Sequence, residues 1–244
     1  MAEPKRRRAA APAAPALAED AAPGAPAVLH ISSRNYSSWS MRGFLLCRMA
    51  GIPFTVRTVD PEDPGARAEL LLQSSSILLP CLSDAGAELW DTLAIAEYLN
   101  ERYPERQMMP AERLARARCR AISGEMHAGF AALRSTLPLN LRAHIPDFTI
   151  WSAARADIDR ILKLWRDCLA EWGGPWLFGA APSVADAMFA PVVCRFRTYD
   201  VALDGPCEAY ARIILAWAPV QEWMEAALRE PEPGIAELDL DAEF

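Results

Sequence analysis

The stretch Arg34–Gly51, RNYSSWSMRGFLLCRMAG, crowds three serines and a tryptophan immediately ahead of a run with helical spacing. Met41, Phe44, Leu45 and Met49 fall on one face of that run, and Gly51 with Pro53 just beyond stops it, as helix ends do. A helix entry commonly wants one hydroxyl, whose oxygen accepts a bond from an unpaired N–H of the first turn. Ser37, Ser38 and Ser40 supply three. The surplus makes a hydroxyl facing a ligand over the helix start a candidate, although capping and solvation also account for the cluster.

Working outward, AVLHIS before this helix and FTVRTV after it read as strands, and the helical crossover between them makes the pair parallel. A short helix follows near residues 65 to 72. ILLPCLSDAGAEL then reads as two strands around a turn at Asp84 to Gly86, and DTLAIAEYLNERY as a helix starting on Asp91. The order βαβαββα fits a thioredoxin-like layer, so the fold class is α/β plus all-α.

From about Pro110 the strand signal ends. Ile122, Met126, Phe130, Leu133 and Leu137 recur at helical spacing, as do Ala154, Ile158, Ile161, Trp165, Cys168 and Trp172, which predicts long bundle helices. In PSVADAMFAPVVCRF, Ser183 and Asp186 stand at capping-box spacing, and Pro191 should bend the helix they start. Two shorter helices, near 207 to 217 and 219 to 229, complete an all-helical bundle. The expected organisation is a disordered Ala/Pro-rich tail over 1–26, a thioredoxin-like domain over 27–103, a linker over 104–110, a helical domain over 111–230 and an acidic tail over 231–244.

With 244 residues, 52% of them hydrophobic, the chain has ample material for a buried core. A net charge of -7 and a pI near 5.1 argue against nucleic acid as a partner, since phosphate binding needs concentrated Lys and Arg. No apolar run approaches the ~20 residues of a membrane span. The six cysteines and three histidines are scattered singly, without the spacing of a disulfide framework or a metal site. A cytoplasmic protein without a metal is expected.

Ligands of an open sheet bind beyond the carboxyl ends of its strands, where helix N-termini present N–H groups and partial positive charge. The serine cluster is one such corner. Asp91-Thr92 is the other, although an Asp at an N-cap stabilises a helix by ~1 kcal/mol with no ligand involved. The residues alone therefore yield a candidate anion-binding cleft.

At these residues the chain resembles the glutathione transferase family. YSSWSMR is similar to the S-S-x-S-x-R active-site run of serine-type members, with Ser37 as its first serine. Leu79-Pro80-Cys81-Leu82 and Asp91-Thr92-Leu93-Ala94-Ile95 resemble the family's V-P-x-L and E-S-x-A-I, and FGAAPSVADAMFAP resembles F-G-x-x-x-S-x-A-D. The resemblance implies glutathione as co-substrate, Ser37 donating its O–H to the glutathione sulfur, Leu79-Pro80 as a cis-proline bend that pairs with the tripeptide, and Asp91 and Thr92 meeting its ammonium and carboxylate. It also implies a homodimer and a small, fairly apolar electrophile. Tyr36, Trp39, Ser123 and His127 are candidate wall residues for that second substrate; Arg120, Ser123, His127 and Arg134 share one stripe of the predicted first long helix, about 90° from its apolar stripe.

Departures from the family pattern bear on the reaction. Leu78 is apolar where many members place a lysine, Trp39 stands where zeta-class isomerases carry a cysteine, and no cysteine occupies position 37. The first removes one polar contact to the tripeptide, the second disfavours maleylacetoacetate isomerisation, and the third disfavours omega-like thiol transfer. A glutathione-dependent isomerase or peroxidase and a non-catalytic binding or regulatory module of the same fold remain the alternatives.

Overall fold

The computed structural model describes residues 26–60, 63–73 and 76–231; the two predicted tails lie outside them, apart from Pro26 and Pro231. Four strands and three helices open the chain: β1 (Ala27–Ile31), α1 (Ser38–Ala50), β2 (Phe54–Thr58), α2 (Pro64–Gln73), β3 (Cys81–Asp84), β4 (Ala87–Trp90) and α3 (Thr92–Arg102). The sheet order is β2-β1-β3-β4, with β1 parallel to β2 and the other pairs antiparallel. Leu29 pairs with Val56 on one side and Leu82 on the other, and Leu82 with Leu89. Ala85 and Gly86 turn the β3–β4 hairpin with φ of 49° and 84°, the positive pair that a two-residue turn matched to strand twist requires.

The second half is α4 (Arg113–Ala128), α5 (Ala131–Thr136), α6 (Ser152–Trp172), α7 (Val184–Thr198), α8 (Gly205–Ala216) and α9 (Ala218–Arg229). The capping box at the start of α7 is present: Asp186 accepts the N–H and O–H of Ser183 at 2.7 and 2.8 Å. Asp186 also accepts from the Leu177 N–H and the Tyr210 hydroxyl, each at 3.1 Å. Burial pushes its carboxyl pKa up while these four bonds pull it down, and burial prevails. Trp165, fully buried, packs its ring against Phe189, Phe196 and Tyr210 at the centre of this half.

Three expectations change. The helix predicted to run on through Phe130, Leu133 and Leu137 breaks after Ala128. Gly129 caps α4 by donating its N–H to the Glu125 carbonyl at 2.8 Å, and a Cβ there would lie 2.7 Å from that oxygen; Phe130 follows at φ 59°, so Arg134 sits on α5, off the stripe of Arg120 and His127. The strand read from Ile77 begins only at Cys81, after a cis Leu79–Pro80 bond. Finally, α1 is buried on nearly all sides rather than on one face, with Arg42, Leu46 and Cys47 at 0–1% exposure. It lies between the sheet and the helical half: the Arg42 Nε donates to the Met188 carbonyl at 2.8 Å, and Phe44 meets the ring of Trp223.

Candidate active site

The turn into α1 separates the three serines by role. The Ser37 Oγ caps the helix, accepting the Ser40 N–H at 3.2 Å. Ser38 Oγ accepts from the guanidinium groups of Arg42 (3.2 Å) and Arg195 (3.5 Å), both buried. Ser40 Oγ accepts the Ser32 N–H at 3.2 Å and lies 3.4 Å from the Ser32 Oγ. Ser38 and Ser40 have no exposed surface, whereas Ser37 keeps 5%. A hydroxyl that accepts still has its own proton to give, so capping and donation outward are compatible at Ser37. The first turn of α1 itself carries no acidic residue, so nothing within the helix offsets the partial positive charge of its end.

Pro80 follows the cis bond and is buried against α1. Gly43 makes room for it, since a Cβ at that position would come within 2.8 Å of the Pro80 Cβ and Cγ. This close approach seats the start of β3 beside the first turns of α1.

At the second corner Asp91 takes φ 78° and ψ 128°, a strained conformation for a residue with a Cβ. Its Oδ1 accepts the N–H groups of Leu93 (2.8 Å) and Ala94 (3.4 Å), capping α3. Its Oδ2 lies 2.5 Å from the Nε2 of His127 on α4. The neighbouring Thr92 is buried, and its Oγ1 has no hydrogen-bond partner among the described residues. An unmatched buried hydroxyl costs free energy, and the Ser123 Oγ, equally buried, is in the same state.

His127 also links the corners. Its ring centroid lies 5.1 Å from that of Trp39, and the Trp39 ring lies under the guanidinium carbons of Arg42 and Arg134 at 4.5 and 5.8 Å. Tyr36, Trp39 and His127 are each half-buried, while Ser123 is 1% exposed and offers no surface to a cleft. Arg120 instead makes a bidentate pair with Glu97 of α3, at 2.7 and 3.1 Å.

All six cysteines are free and buried. Burial pushes the Cys119 thiol up to about 11 and those of Cys168, Cys194 and Cys207 to about 12, with Cys47 raised further still. These five hold their protons at neutral pH and make poor nucleophiles.

Sequence reasoning overlooked the support of the Ser37 turn: Ser33, Asn35, Arg142 and Glu230. Asn35, a short polar residue ahead of a helix, carries a weak turn signal. Glu230 carries none, because its partners stand 195 to 197 residues away.

With this geometry in view, the comparisons with known proteins are specific. The model of the glutathione S-transferase N-terminal domain matches residues 32–107, and that of the C-terminal domain matches residues 111–226. A probable maleylacetoacetate isomerase of Caenorhabditis elegans is 23% identical over 177 residues, 72% of this chain and 82% of that protein. Among solved structures, a Burkholderia glutathione transferase homolog with bound glutathione is similar at TM-score 0.63 and 23% identity, covering 84% of this chain and all of that one. The maleylacetoacetate isomerase of Anaeromyxobacter dehalogenans with bound glutathione gives TM-score 0.59 at 24% identity, covering 86% and 98%.

Proposed function

Because this chain belongs to the glutathione S-transferase family, we propose that it binds glutathione beside α1 and activates the thiol for attack on a small, fairly apolar electrophile. One observation carries the reading: the Ser37 hydroxyl caps α1, whose own first turn has no acidic residue, and retains a proton to donate. That O–H, with the helix end behind it, favours the thiolate over the thiol. Lowering a thiol pKa from ~8.5 by two units raises the ionised fraction at pH 7 from ~3% to about three-quarters, a stabilisation of ~2.7 kcal/mol. The weaker nucleophilicity of a more acidic thiol cancels much of this, leaving a net gain of ~2- to 3-fold. Most of the acceleration therefore comes from holding the sulfur against the electrophile.

The other residues bind and orient. The backbone at Leu79-Pro80 pairs with the cysteinyl part of the tripeptide, the N–H end of α3 at Thr92 meets a carboxylate, and the Asp91 carboxylate meets the ammonium. Tyr36, Trp39 and His127 form the wall for the electrophile; the buried Ser123 is left out of it. The reading includes a cytoplasmic homodimer, which rests on the family pattern rather than on any one contact.

Glutathione-dependent isomerisation is the second reading, supported by the names of the similar proteins above and opposed by Trp39 in place of a cysteine. The two part on stoichiometry, since a transferase consumes one glutathione per product and an isomerase returns it.

The test is titration of the bound thiol by thiolate ultraviolet absorbance in wild type and Ser37→Ala. Binding by both, with an acidic thiol only in wild type, is expected. Equal thiol pKa values in the two would overturn the role of Ser37, and no binding by either would favour the non-catalytic module.

A further inference from the structure

The turn that carries Ser37 is gripped by the far end of the chain. Glu230, directly after α9, sets its carboxylate against three donors: the Arg34 N–H reaches Oε1 at 2.7 Å, and the Ser33 O–H and Asn35 N–H reach Oε2 at 2.8 and 2.9 Å. The same Ser33 accepts the Ser37 N–H on its carbonyl at 3.3 Å. A single residue thus stands between the Glu230 carboxylate and the backbone of Ser37.

The helical half holds Glu230 in register. Arg142 donates to the carbonyls of Ala227 and Glu230, and the Trp223 Nε1–H donates to the Arg34 carbonyl at 2.9 Å. Asn35, fully buried, ties the turn to the segment after α5: its Nδ2 donates to Asn140 Oδ1 at 3.1 Å, its Oδ1 accepts the Arg142 N–H at 3.1 Å, and its carbonyl accepts the Leu141 N–H at 3.4 Å. Bonds to an ionised carboxylate are roughly twice as strong as neutral ones, and a part-buried carboxylate with three donors fixes both position and angle.

We infer that Glu230 is a positioning residue for Ser37, its carboxylate setting the 33–37 turn so that the Ser37 hydroxyl is aimed at the bound thiol. The inference rests on the glutathione reading above. A carboxylate is required because one group must accept three converging donors. A carboxamide presents one acceptor oxygen and turns an NH2 toward the remaining donors.

The experiment uses the full-length chain with Glu230→Gln, and Glu222→Ala as the control, since Glu222 pairs with Arg48 across the same α9–α1 contact. In Glu230→Gln the bound thiol pKa is expected to rise by about one unit and kcat to fall about tenfold, with the glutathione KM within about twofold, because a misaimed donor costs more in the transition state than in binding. The Arg34 and Asn35 amides should exchange hydrogen about tenfold faster, and Glu222→Ala should match wild type. The inference is overturned if Glu230→Gln titrates and turns over like wild type, if only KM changes, or if Glu222→Ala reproduces the loss. Should Glu230→Gln fail to fold, Ser33→Ala removes one donor from the other side and must shift the thiol pKa the same way; no shift overturns the inference equally. An ordinary thiol in wild type would sink the glutathione reading itself, whereas an acidic wild-type thiol that Glu230→Gln leaves intact sinks this inference alone.

Discussion

Asp91 Oδ2 lies 2.5 Å from His127 Nε2 while Asp91 Oδ1 caps α3, so one side chain starts a helix and joins the two halves of the molecule. An arriving ammonium and His127 are alternative partners for the same oxygen. His127→Ala is therefore expected to tighten glutathione binding about threefold, the scale of losing one part-exposed charged contact. Calorimetric titration checks this, and weaker binding would show that His127 assists Asp91 instead of competing with it.

The neighbours of Ser37 should behave differently from Ser37 itself. Ser40→Ala leaves the buried Ser32 N–H without its acceptor, and Ser38→Ala removes an oxygen that two buried guanidinium groups share. Each should cost about 1–3 kcal/mol of unfolding free energy. Neither should raise the pKa of the bound thiol by more than a few tenths. Urea unfolding together with the absorbance titration separates the two effects.

Gly43 is constrained by packing against Pro80. With 2.8 Å between an added Cβ and the proline ring, Gly43→Ala must push α1 away from the start of β3. A loss of about 1–3 kcal/mol is expected, as for overpacking elsewhere, with a raised glutathione KM because the Leu79-Pro80 backbone moves. Wild-type KM in this variant would place the tripeptide elsewhere.

Acid sensitivity should include a contribution from the start of α4. Glu112 caps that helix through the N–H groups of Leu114 and Ala115 at 2.8 and 2.6 Å, and these bonds hold its carboxyl below the ordinary value of 4.5. Because the folded pKa is the lower one, the stabilisation is complete above about pH 4.5 and disappears as pH falls through the folded value. Glu112→Gln should flatten that part of the stability profile and leave the profile above pH 6 parallel to wild type, as chemical unfolding at stepped pH would reveal.

Much of this molecule is written in local pattern. The alternation around the 27–32 and 54–59 strands, the Gly51 stop, the turn before Ala87 and the Ser183–Asp186 box each act within a few residues, so period and capping chemistry suffice to read them. The break at Gly129–Phe130 was hidden for the same reason in reverse: Phe130, Leu133 and Leu137 are buried and keep the helical period, although a positive φ separates them from α4.

The site divides along the same line. Sequence by itself determined the family, the βαβαββα order and the crowding of hydroxyls before α1, because these depend on spacing along the chain. Only the tertiary structure decided which serine does what, since Ser38 is committed by arginines from α1 and α7 and Ser40 by Ser32, leaving Ser37 as the cap with exposed surface. It alone brought His127 to Asp91 and Glu230 to the turn at Ser33–Asn35. Those contacts span 36 and nearly 200 residues, and a carboxylate's partner at such separation is fixed by the packing of helices, which no local period encodes.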